Sequence, residues 1–324
     1  MERRQFLMQC AAIAGAAAVP AMAQDAYPAK PIRLIVPFPP AGGTDTLSRA
    51  ISQSITASTH WTFVVENKPG AGGNIGLDAL AKSPPDGYTI AMGQTANLAV
   101  NPALYGSMPF DPLKDFAPIA LLSSQPLILV VDAKSPYKSL AELVAAAKEN
   151  PGRINMASAG NGTIGHIGGE LFQRRAGIKL THVPYKGAGP AVTDMMGGNV
   201  DCFFGNSQSV GGLVTGGRLR PLAATSPRRI PNFPNVPTVA ELGYPGFEAA
   251  TWSGLLAPAG TPAAIISKLN AEANKALGSN EMKQKLAEDG STPMGGTPQQ
   301  FAEFIRSEHA KWGAAVRDAG IKLD

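Results

Sequence analysis

Four glycine-rich segments stand where strand-like runs give way to helix-like patterns, and their residue types are suited to holding an anion. They are residues 39–43, 69–73, 160–165 and 187–189. Glycine allows a tight turn, and the free N–H groups and dipole of a helix start attract negative charge. A single segment of this kind is usually only a turn. Several of them at the carboxyl edge of one sheet favour a site that clamps an anion with backbone amides.

One of these segments spells the G-x-G-x-x-G pattern of dinucleotide-binding proteins, with Gly160, Gly162 and Gly165. That fingerprint also requires an acidic residue about 20 positions further on, which holds the ribose. Here the next strand-like run ends in Pro184, Tyr185 and Lys186, without a carboxylate. The pattern therefore does not favour a dinucleotide, and no cofactor is expected. A secreted, nucleotide-dependent oxidoreductase is the alternative function.

Residues 1–23 have the features of an export signal. Two arginines, Arg3 and Arg4, precede a short apolar stretch, and the small residues Ala21 and Ala23 mark a cleavage site near Ala23. The apolar stretch is too short to cross a bilayer. The arginine pair with Phe6 resembles a twin-arginine signal, and an ordinary secretory signal is the alternative. Either signal places the mature chain outside the cytoplasm.

Composition and motifs exclude several functional classes. The formal net charge of +4 over 324 residues is too mild for a nucleic-acid-binding protein. The chain contains no G-x-S-x-G element, and its four histidines lack zinc-site spacing. Neither an enzyme nor a metal site is expected. Cys10 leaves with the signal, so Cys202 has no disulfide partner and is predicted to be a small core residue.

Short apolar runs alternate with helical patterns along the rest of the chain. This alternation predicts an α/β fold with mostly parallel sheets flanked by helices. Ser139 begins a capping box, and Thr261 and Thr297 each precede a proline suited to a first helical turn. The predicted strands are residues 32–36, 62–66, 88–92, 118–122, 127–131, 153–157, 179–183 and 200–204.

Seven motifs follow one another along the mature chain: VPFPPAGGTD, ENKPGAGGNIG, DGYTIAMG, NPALY, SAGNGTIGHIGGELF, VPYKGAGPAVTDMMGGNVD and LRPLAATSPRR. Their order and spacing resemble the Bug family of extracytoplasmic solute receptors, the binding proteins of tripartite tricarboxylate transporters. The resemblance covers the mature chain and implies a periplasmic binding protein of type II-like, two-lobed architecture, with two strands crossing between the lobes. It also implies a monomer that holds a small carboxylate in its cleft and delivers it to membrane components of the transporter.

The segment order predicts how the chain divides between the lobes. Residues 24–125 and 228–324 are expected to form lobe 1, because the three C-terminal helices need a sheet to cover. Residues 126–227 are expected to form lobe 2 without interruption. Polar residues near positions 123–125 and 226 suggest the linkers.

The resemblance implies that loops from both lobes meet the ligand carboxylates through backbone N–H groups, hydroxyls and bridging waters. In the first loop, Ala41 replaces the first of three glycines usual in the family, which narrows the pocket or marks a different ligand. The expected ligand-binding residues are Phe38, Pro40, Ala41, Gly42, Gly43, Asp45, Ser158, Ala159, Gly160, Gly162, Thr163, His166, Tyr185, Lys186, Gly187 and Asp201.

Some of these side chains have two interpretations. Phe38 and Tyr185 are either apolar walls for the ligand or ordinary core aromatics. Asp45 is either a first-turn acid favoured by the helix dipole or an acceptor for a ligand amine or bridging water. Lys186 is either a cation for the ligand or a solvated surface lysine, and His166 lies where it could hydrogen-bond a ligand.

Overall fold

The computed structural model describes residues 27–288 and 290–320. The predicted export signal lies outside these residues. The chain has a short N-terminal unit that ends at Lys30. Its described residues, 27–30, form neither strand nor helix. The second unit begins at Pro31 and contains every element described below. No helix within the described ranges is both long and apolar enough to cross a membrane.

Ten strands form a mixed sheet in the order β2-β1-β3-β9-β4-β7-β5-β6, and β8 and β10 also pair with β4. Parallel pairs join β1 to β2 and β3 at one end, and β5 to β6 and β7 at the other. The strands are β1 (Ile32–Val36), β2 (Phe63–Asn67), β3 (Thr89–Gln94), β4 (Phe116–Asp132), β5 (Asn155–Ser158), β6 (Thr181–Pro184), β7 (Cys202–Asn206), β8 (Leu219–Ala224), β9 (Ala250–Pro258) and β10 (Thr292–Pro293).

The centre of the sheet differs from the predicted, mostly parallel arrangement. The predicted strands 118–122 and 127–131 are one strand of 17 residues, β4. The polar residues Ser123, Ser124 and Gln125, expected to be a linker, pair instead with β9. β4 pairs antiparallel with β9 over its first part and with β7 and β8 over its last part. The two parallel groups are therefore joined by antiparallel crossing strands.

Helices cover the sheet and begin after most strands. They are α1 (Gly43–Thr59), α2 (Asn74–Ala81), α3 (Asn101–Leu104), α4 (Leu140–Glu149), α5 (Ile164–Ala176), α6 (Ala188–Met196), α7 (Ser207–Thr215), α8 (Ala263–Gly278), α9 (Asn280–Glu288) and α10 (Pro298–Ala319); a 3-10 turn spans Ala71–Gly73 and a π-helical turn spans Ala96–Val100.

Two of the three predicted helix caps are present. The Ser139 side chain accepts a hydrogen bond from Glu142 N, and Thr297 forms a full capping box with Gln300. The prediction for Thr261 was wrong, because Pro262 is the N-cap of α8. The Thr261 hydroxyl instead donates to the Pro258 carbonyl oxygen at 2.8 Å, which ties it to the end of β9.

The apolar core runs on both sides of the crossing strands. The predicted apolar face of α10 is buried, with Phe301, Ile305, Trp312 and Val316 each no more than 2 % exposed. The buried carboxylate of Glu308 accepts from the indole N–H groups of Trp252 and Trp312, at 2.9 and 2.8 Å. Buried indole donors need such a partner. This contact fastens α10 to β9.

Candidate functional site

The loop between β1 and α1 is held in place by one buried carboxylate. Asp45 Oδ2 accepts from the Ala41 backbone N–H at 3.0 Å and from Arg49 Nε at 2.9 Å. Asp45 Oδ1 accepts from Asn67 Nδ2 at 2.9 Å, and the same amide donates to the Phe38 carbonyl oxygen at 3.1 Å. Asp45 therefore joins the loop to its own helix and to β2.

The surroundings of Asp45 show what its carboxylate already binds. Burial raises the pKa of its carboxyl, but hydrogen bonds from Arg49, Asn67 and the Ala41 backbone outweigh burial and lower the pKa overall. The carboxylate is thus ionised at neutral pH, and each oxygen already accepts a hydrogen bond. Its charge is balanced by Arg49.

The same loop presents the start of α1 without a side-chain cap. Gly42 is the N-cap in extended conformation and supplies no side-chain acceptor. The first N–H groups of a helix lack intrahelical partners, and in the described part of the chain the N-cap residue supplies no side-chain acceptor for those of α1. Pro40, Ala41 and Gly42 are exposed. Ala41 has a left-handed φ of 62°, a conformation that favours glycine and strains alanine by about 1 kcal/mol.

Gly43 faces a different loop, the one that follows β7. A Cβ atom on Gly43 would overlap the side-chain amide of Gln208 and would lie 3.5 Å from Asn206 Nδ2. The absence of a side chain on Gly43 is what lets the first loop approach the start of α7. Asn206 is the N-cap of α7 and makes no side-chain cap there, so two uncapped helix starts meet in this region.

The loop between β5 and α5 is occupied by its own hydrogen bonds. Thr163 caps α5 by accepting from His166 N at 3.4 Å, and its hydroxyl donates to the Gly160 carbonyl oxygen at 2.7 Å. The Gly160 N–H donates to Ser158 Oγ at 3.2 Å, and the Gly162 N–H donates to His166 Nδ1 at 3.2 Å. Two backbone donors of this loop, those of Gly160 and Gly162, therefore already have acceptors within it.

Two histidines form a neutral wall behind this loop. The rings of His166 and His182 stack with centroids 4.0 Å apart and an interplanar angle of 10°. The pKa of each is lowered to about 4, chiefly by burial, and for His166 the neighbouring His182 contributes to the lowering. Ser158 Oγ is hydrogen-bonded to His182 Nε2 at 2.7 Å. At neutral pH this wall provides polarity without positive charge.

The three glycines of the G-x-G-x-x-G pattern are explained by backbone geometry. Gly160 and Gly162 have φ values of 137° and 77°, which side chains rarely adopt. A Cβ on Gly160 would lie 3.0 Å from the Tyr185 carbonyl oxygen, and one on Gly165 would lie 2.6 Å from the Phe204 carbonyl oxygen. The pattern reflects a tight turn and close packing of α5 on β7.

The loop after β6 is tied to the loop after β5. The Gly187 N–H donates to the Ala159 carbonyl oxygen at 3.0 Å. The Tyr185 hydroxyl donates to Asp194 Oδ2 at 2.6 Å, a bond that raises the pKa of Tyr185 to about 12. The Tyr185 ring is half-buried against apolar neighbours, whereas Lys186 is exposed. Gly187 is the N-cap of α6 without a side-chain cap.

Asp201 lies away from these loops. It precedes β7, and its Oδ2 accepts from the backbone N–H of Asn155, the first residue of β5, at 2.7 Å. Because β5 and β7 are parallel, this contact is at their amino ends, whereas the loops after Ser158 and Asn206 leave from their carboxyl ends. The structure does not bring Asp201 together with the other predicted residues.

Two buried asparagines at the site were not predicted from the sequence. Asn97 and Asn101 lie after β3 and are fully buried, each with one side-chain atom that has no hydrogen-bond partner in the described part of the chain. A Cβ on Gly73 would lie 2.6 Å from Asn97 Nδ2, and one on Gly162 would lie 2.9 Å from Asn101 Oδ1. The available signal was the presence of polar residues in the otherwise apolar segment after Gln94.

Within the described ranges, no group of three or more His, Cys, Asp or Glu side chains is placed to hold a metal ion. Cys202 is fully buried, and burial raises the pKa of its thiol. A thiol in that state is a poor nucleophile and a poor metal ligand. Its predicted role as a small core residue is confirmed.

Parallel strand groups joined by crossing strands, with loops at their carboxyl ends, define an α/β fold that matches solved periplasmic binding proteins. The model of the tripartite tricarboxylate transporter family receptors matches residues 47–321. The chain therefore belongs to this family of solute receptors, which confirms the predicted family.

Three relatives show how closely the chain follows the family. BugT of Bordetella pertussis is 42% identical over 312 residues, which cover 96% of each chain. The solved structure of R. palustris Rpa4515 with adipate is 36% identical with a TM-score of 0.88, over 92% of this chain and 100% of that one. MatC of Rhodopseudomonas palustris with bound malate is 30% identical with a TM-score of 0.83, over 90% and 100%.

Proposed function

We propose that this protein is a periplasmic receptor that captures a small carboxylate and delivers it to the membrane components of a tripartite tricarboxylate-type transporter. The observation that carries this proposal is the uncapped start of α1. Asp45 holds the loop before it in place, and Gly43 brings it against Asn206 and Gln208. Membership of the receptor family supports the delivery step.

The charges around the loops favour an anion held by dipoles. The starts of α1, α6 and α7 have no side-chain cap, and a helix start favours an anion by about 0.3–1 kcal/mol, more where it is partly buried. Arg49 is already paired with Asp45 at 2.9 Å. Backbone N–H groups, rather than a charged side chain, are then the principal partners of the carboxylate. Two relatives have been solved with small carboxylates, one with adipate and one with malate.

We assign the site residues in two groups. The first-loop residues and Gly187, which lie at or beside uncapped helix starts, contact the ligand, and residues of the loops after β5 and β6 form the opposite wall. Asp45 positions the first loop, and Asp201 is left out of the site. The contact residues are Phe38, Pro40, Ala41, Gly42, Gly43 and Gly187, and the wall residues are Ser158, Ala159, Gly160, Gly162, Thr163, His166, Tyr185 and Lys186.

The proposed lobes are residues 24–125 with 228–324, and residues 126–227. β4 supports this division, because it pairs with β9 up to Pro126 and with β7 and β8 from Leu127 onwards. Two close approaches then cross between lobes, that of Gly43 to Gln208 and that of Gly162 to Asn101. A ligand that contacts both lobes would favour the closed arrangement by its differential affinity.

The remaining features of the proposal follow from the family and the export signal. The mature protein begins after Ala23, is monomeric, and neither uses a cofactor nor catalyses a reaction. Within the G-x-G-x-x-G segment, the N–H of Gly162 donates to His166 Nδ1 and Thr163 caps α5. This arrangement does not favour the oxidoreductase alternative.

The test is a thermal-unfolding screen of the mature protein. The panel contains C3–C6 mono-, di- and tricarboxylates, the uncharged amides of the same acids, and NAD(H) and NADP(H). At a hundredfold excess over its dissociation constant, a bound carboxylate adds about 2.7 kcal/mol of stability and raises the melting temperature by several degrees. The matching amide should give no shift. A shift with a nucleotide and with no carboxylate would contradict the proposal.

A further inference from the structure

Two buried side-chain atoms in the segment after β3 lack a hydrogen-bond partner in the described residues. They are Asn97 Nδ2, a donor, and Asn101 Oδ1, an acceptor. Both residues are 0% exposed. A buried polar group without a partner is costly, so such groups in a folded protein need an explanation. Neither the glycine-rich segments nor the uncapped helix starts explain why these two side chains are buried without partners.

The backbone around these side chains fixes which end of each amide is unpartnered. Asn97 Oδ1 accepts from the Gln94 N–H at 2.9 Å, so a flipped amide would place a donor against a donor. Asn101 Nδ2 donates to the Gly72 carbonyl oxygen at 3.1 Å and to Asn74 Oδ1 at 2.8 Å. The unpartnered atom of Asn97 is therefore a donor, and that of Asn101 is an acceptor.

Each atom lies beside a glycine of a glycine-rich segment. Asn97 Nδ2 is 2.6 Å, and Phe38 Cζ 3.1 Å, from the position that a Cβ on Gly73 would occupy. Asn101 Oδ1 is 2.9 Å from the corresponding position on Gly162. The donor thus lies beside the glycine-rich segment at residues 69–73, and the acceptor lies beside the loop after β5.

We propose that Asn97 and Asn101 determine ligand specificity: Asn97 donates to a carboxylate oxygen, Asn101 accepts from a hydroxyl group of the ligand, and the receptor therefore prefers hydroxylated carboxylates to their deoxy analogues. This inference rests on the proposed function. It adds two ligand-contacting side chains and narrows the ligand class.

A hydroxyl satisfies Asn101 better than an ammonium group would. A buried ammonium needs a carboxylate partner, and the carboxylate of the first loop, Asp45, is already bound by Arg49 and Asn67. A neutral hydroxyl needs only one neutral acceptor. A deoxy ligand would leave Asn101 Oδ1 unpartnered, and leaving a buried acceptor unpaired lowers affinity about tenfold to a hundredfold.

The first test compares matched ligands by isothermal titration calorimetry on the mature protein. The pairs are malate and succinate, citrate and tricarballylate, and lactate and propionate. The hydroxylated member of the best-bound pair should bind at least about tenfold more tightly. Equal affinity within that pair, which a bridging water at Asn101 would give, overturns the inference and leaves the carboxylate receptor standing. Failure of every carboxylate to bind overturns the proposed function and this inference with it.

Variants assign the two roles. Asn101→Leu removes the acceptor, so the affinities for the hydroxylated acid and its deoxy analogue should differ by no more than about twofold. A general loss of folded protein lowers both affinities equally and leaves their ratio unchanged. Asn97→Asp keeps the acceptor for the Gln94 N–H but replaces the donor with a negative charge. Both members of the pair should then bind about a hundredfold more weakly, with their ratio retained.

The control for Asn97→Asp is Asn235→Asp, which makes the same charge change at an exposed position. It should leave both affinities unchanged. Circular dichroism establishes whether each variant is folded. If Asn101→Leu does not fold, Asn97→Asp still tests the inference. An unchanged ratio in folded Asn101→Leu, or unchanged affinities in Asn97→Asp, overturns the inference.

Discussion

The starts of α1 and α5 look alike in sequence and differ in structure. Both follow a strand and a glycine-rich loop. Gly42 precedes α1 and gives it no side-chain cap, whereas Thr163 caps α5. In both loops the N–H before the N-cap is taken by a side chain four residues further on, that of Ala41 by Asp45 and that of Gly162 by His166. The difference shows that similar glycine-rich loops can lead into helices that differ in their side-chain caps. Under the proposed function, this decides which helix start receives the anion, because a capped start has one of its first N–H groups already bound.

The two loops are also made rigid in different ways. The first is held by the ionised Asp45, whose acceptor oxygens point back to Ala41 and Asn67. The second is held by neutral groups, with Ser158 hydrogen-bonded to both Gly160 and His182. Under the proposed function, the first loop receives the anion and the second loop closes over it.

The largest expected effect on ligand affinity comes from a substitution that gives α1 a side-chain cap. Gly42→Asp should cap the first turn and place a negative charge where the ligand carboxylate binds. Gly42 has φ −78° and ψ 166°, and a Cβ there would meet only the Pro39 carbonyl oxygen, at 3.6 Å, so the fold accepts the side chain. We expect affinity to fall about a hundredfold, with stability unchanged or raised by a few tenths of a kcal/mol.

Two further substitutions at this position separate capping from charge. Gly42→Asn caps without a charge and should weaken binding less than the aspartate. Gly42→Ala supplies no acceptor and should bind nearly as well as the unsubstituted protein. Affinities from calorimetry and urea unfolding of the three variants provide the check. Undiminished binding by the aspartate variant would place the carboxylate elsewhere.

The next effect concerns the neutral wall behind α5. Each histidine titrates near 6.5 when unfolded, whereas the pKa values of His166 and His182 are about 4 in the fold. The unfolded chain therefore binds more protons between these values. Stability is fully present above pH 6.5 and is lost as the pH falls towards 4, by up to about 1.4 kcal/mol per pH unit for each histidine.

Urea unfolding measured at half-unit steps from pH 7 to pH 4 tests this. His182→Gln should reduce the slope, since it removes one of the two titrating groups. A slope in that window that His182→Gln leaves unchanged would assign the acid sensitivity to other groups.

The smallest effect comes from removing the cap that α5 already has. Thr163→Ala should lower the free energy of unfolding by about 1 kcal/mol. Ligand affinity should change less than about threefold, because the proposed principal donors belong to α1. Thr163→Ser retains the cap and is the matched control. If Thr163→Ala changed affinity as strongly as Gly42→Asp, the two helix starts would play equal parts in binding and the contrast between them would fail.

Much of the fold was predictable from local patterns. The strands at the two parallel ends were placed to within about two residues, and the caps at Ser139 and Thr297 were correct. The predictions failed at the centre, where β4 was divided in two and β8 and β9 were not predicted as strands. The centre depends on antiparallel pairing between segments far apart in sequence, as between Gln125 and Thr251.

The sequence by itself determined the export signal as an expectation, the α/β class, the glycine-rich loops and the family. Each of these depends on residues close together along the chain or on their order. The tertiary structure decided that Asp45 positions its loop and that Asp201 lies at the other end of β7. It also decided which helix start lacks a side-chain cap, and that Asn97 and Asn101 are buried with atoms that have no partner among the described residues. Hydrogen-bond partners are chosen by proximity in space, so a pattern of residue types cannot show which polar groups are already satisfied.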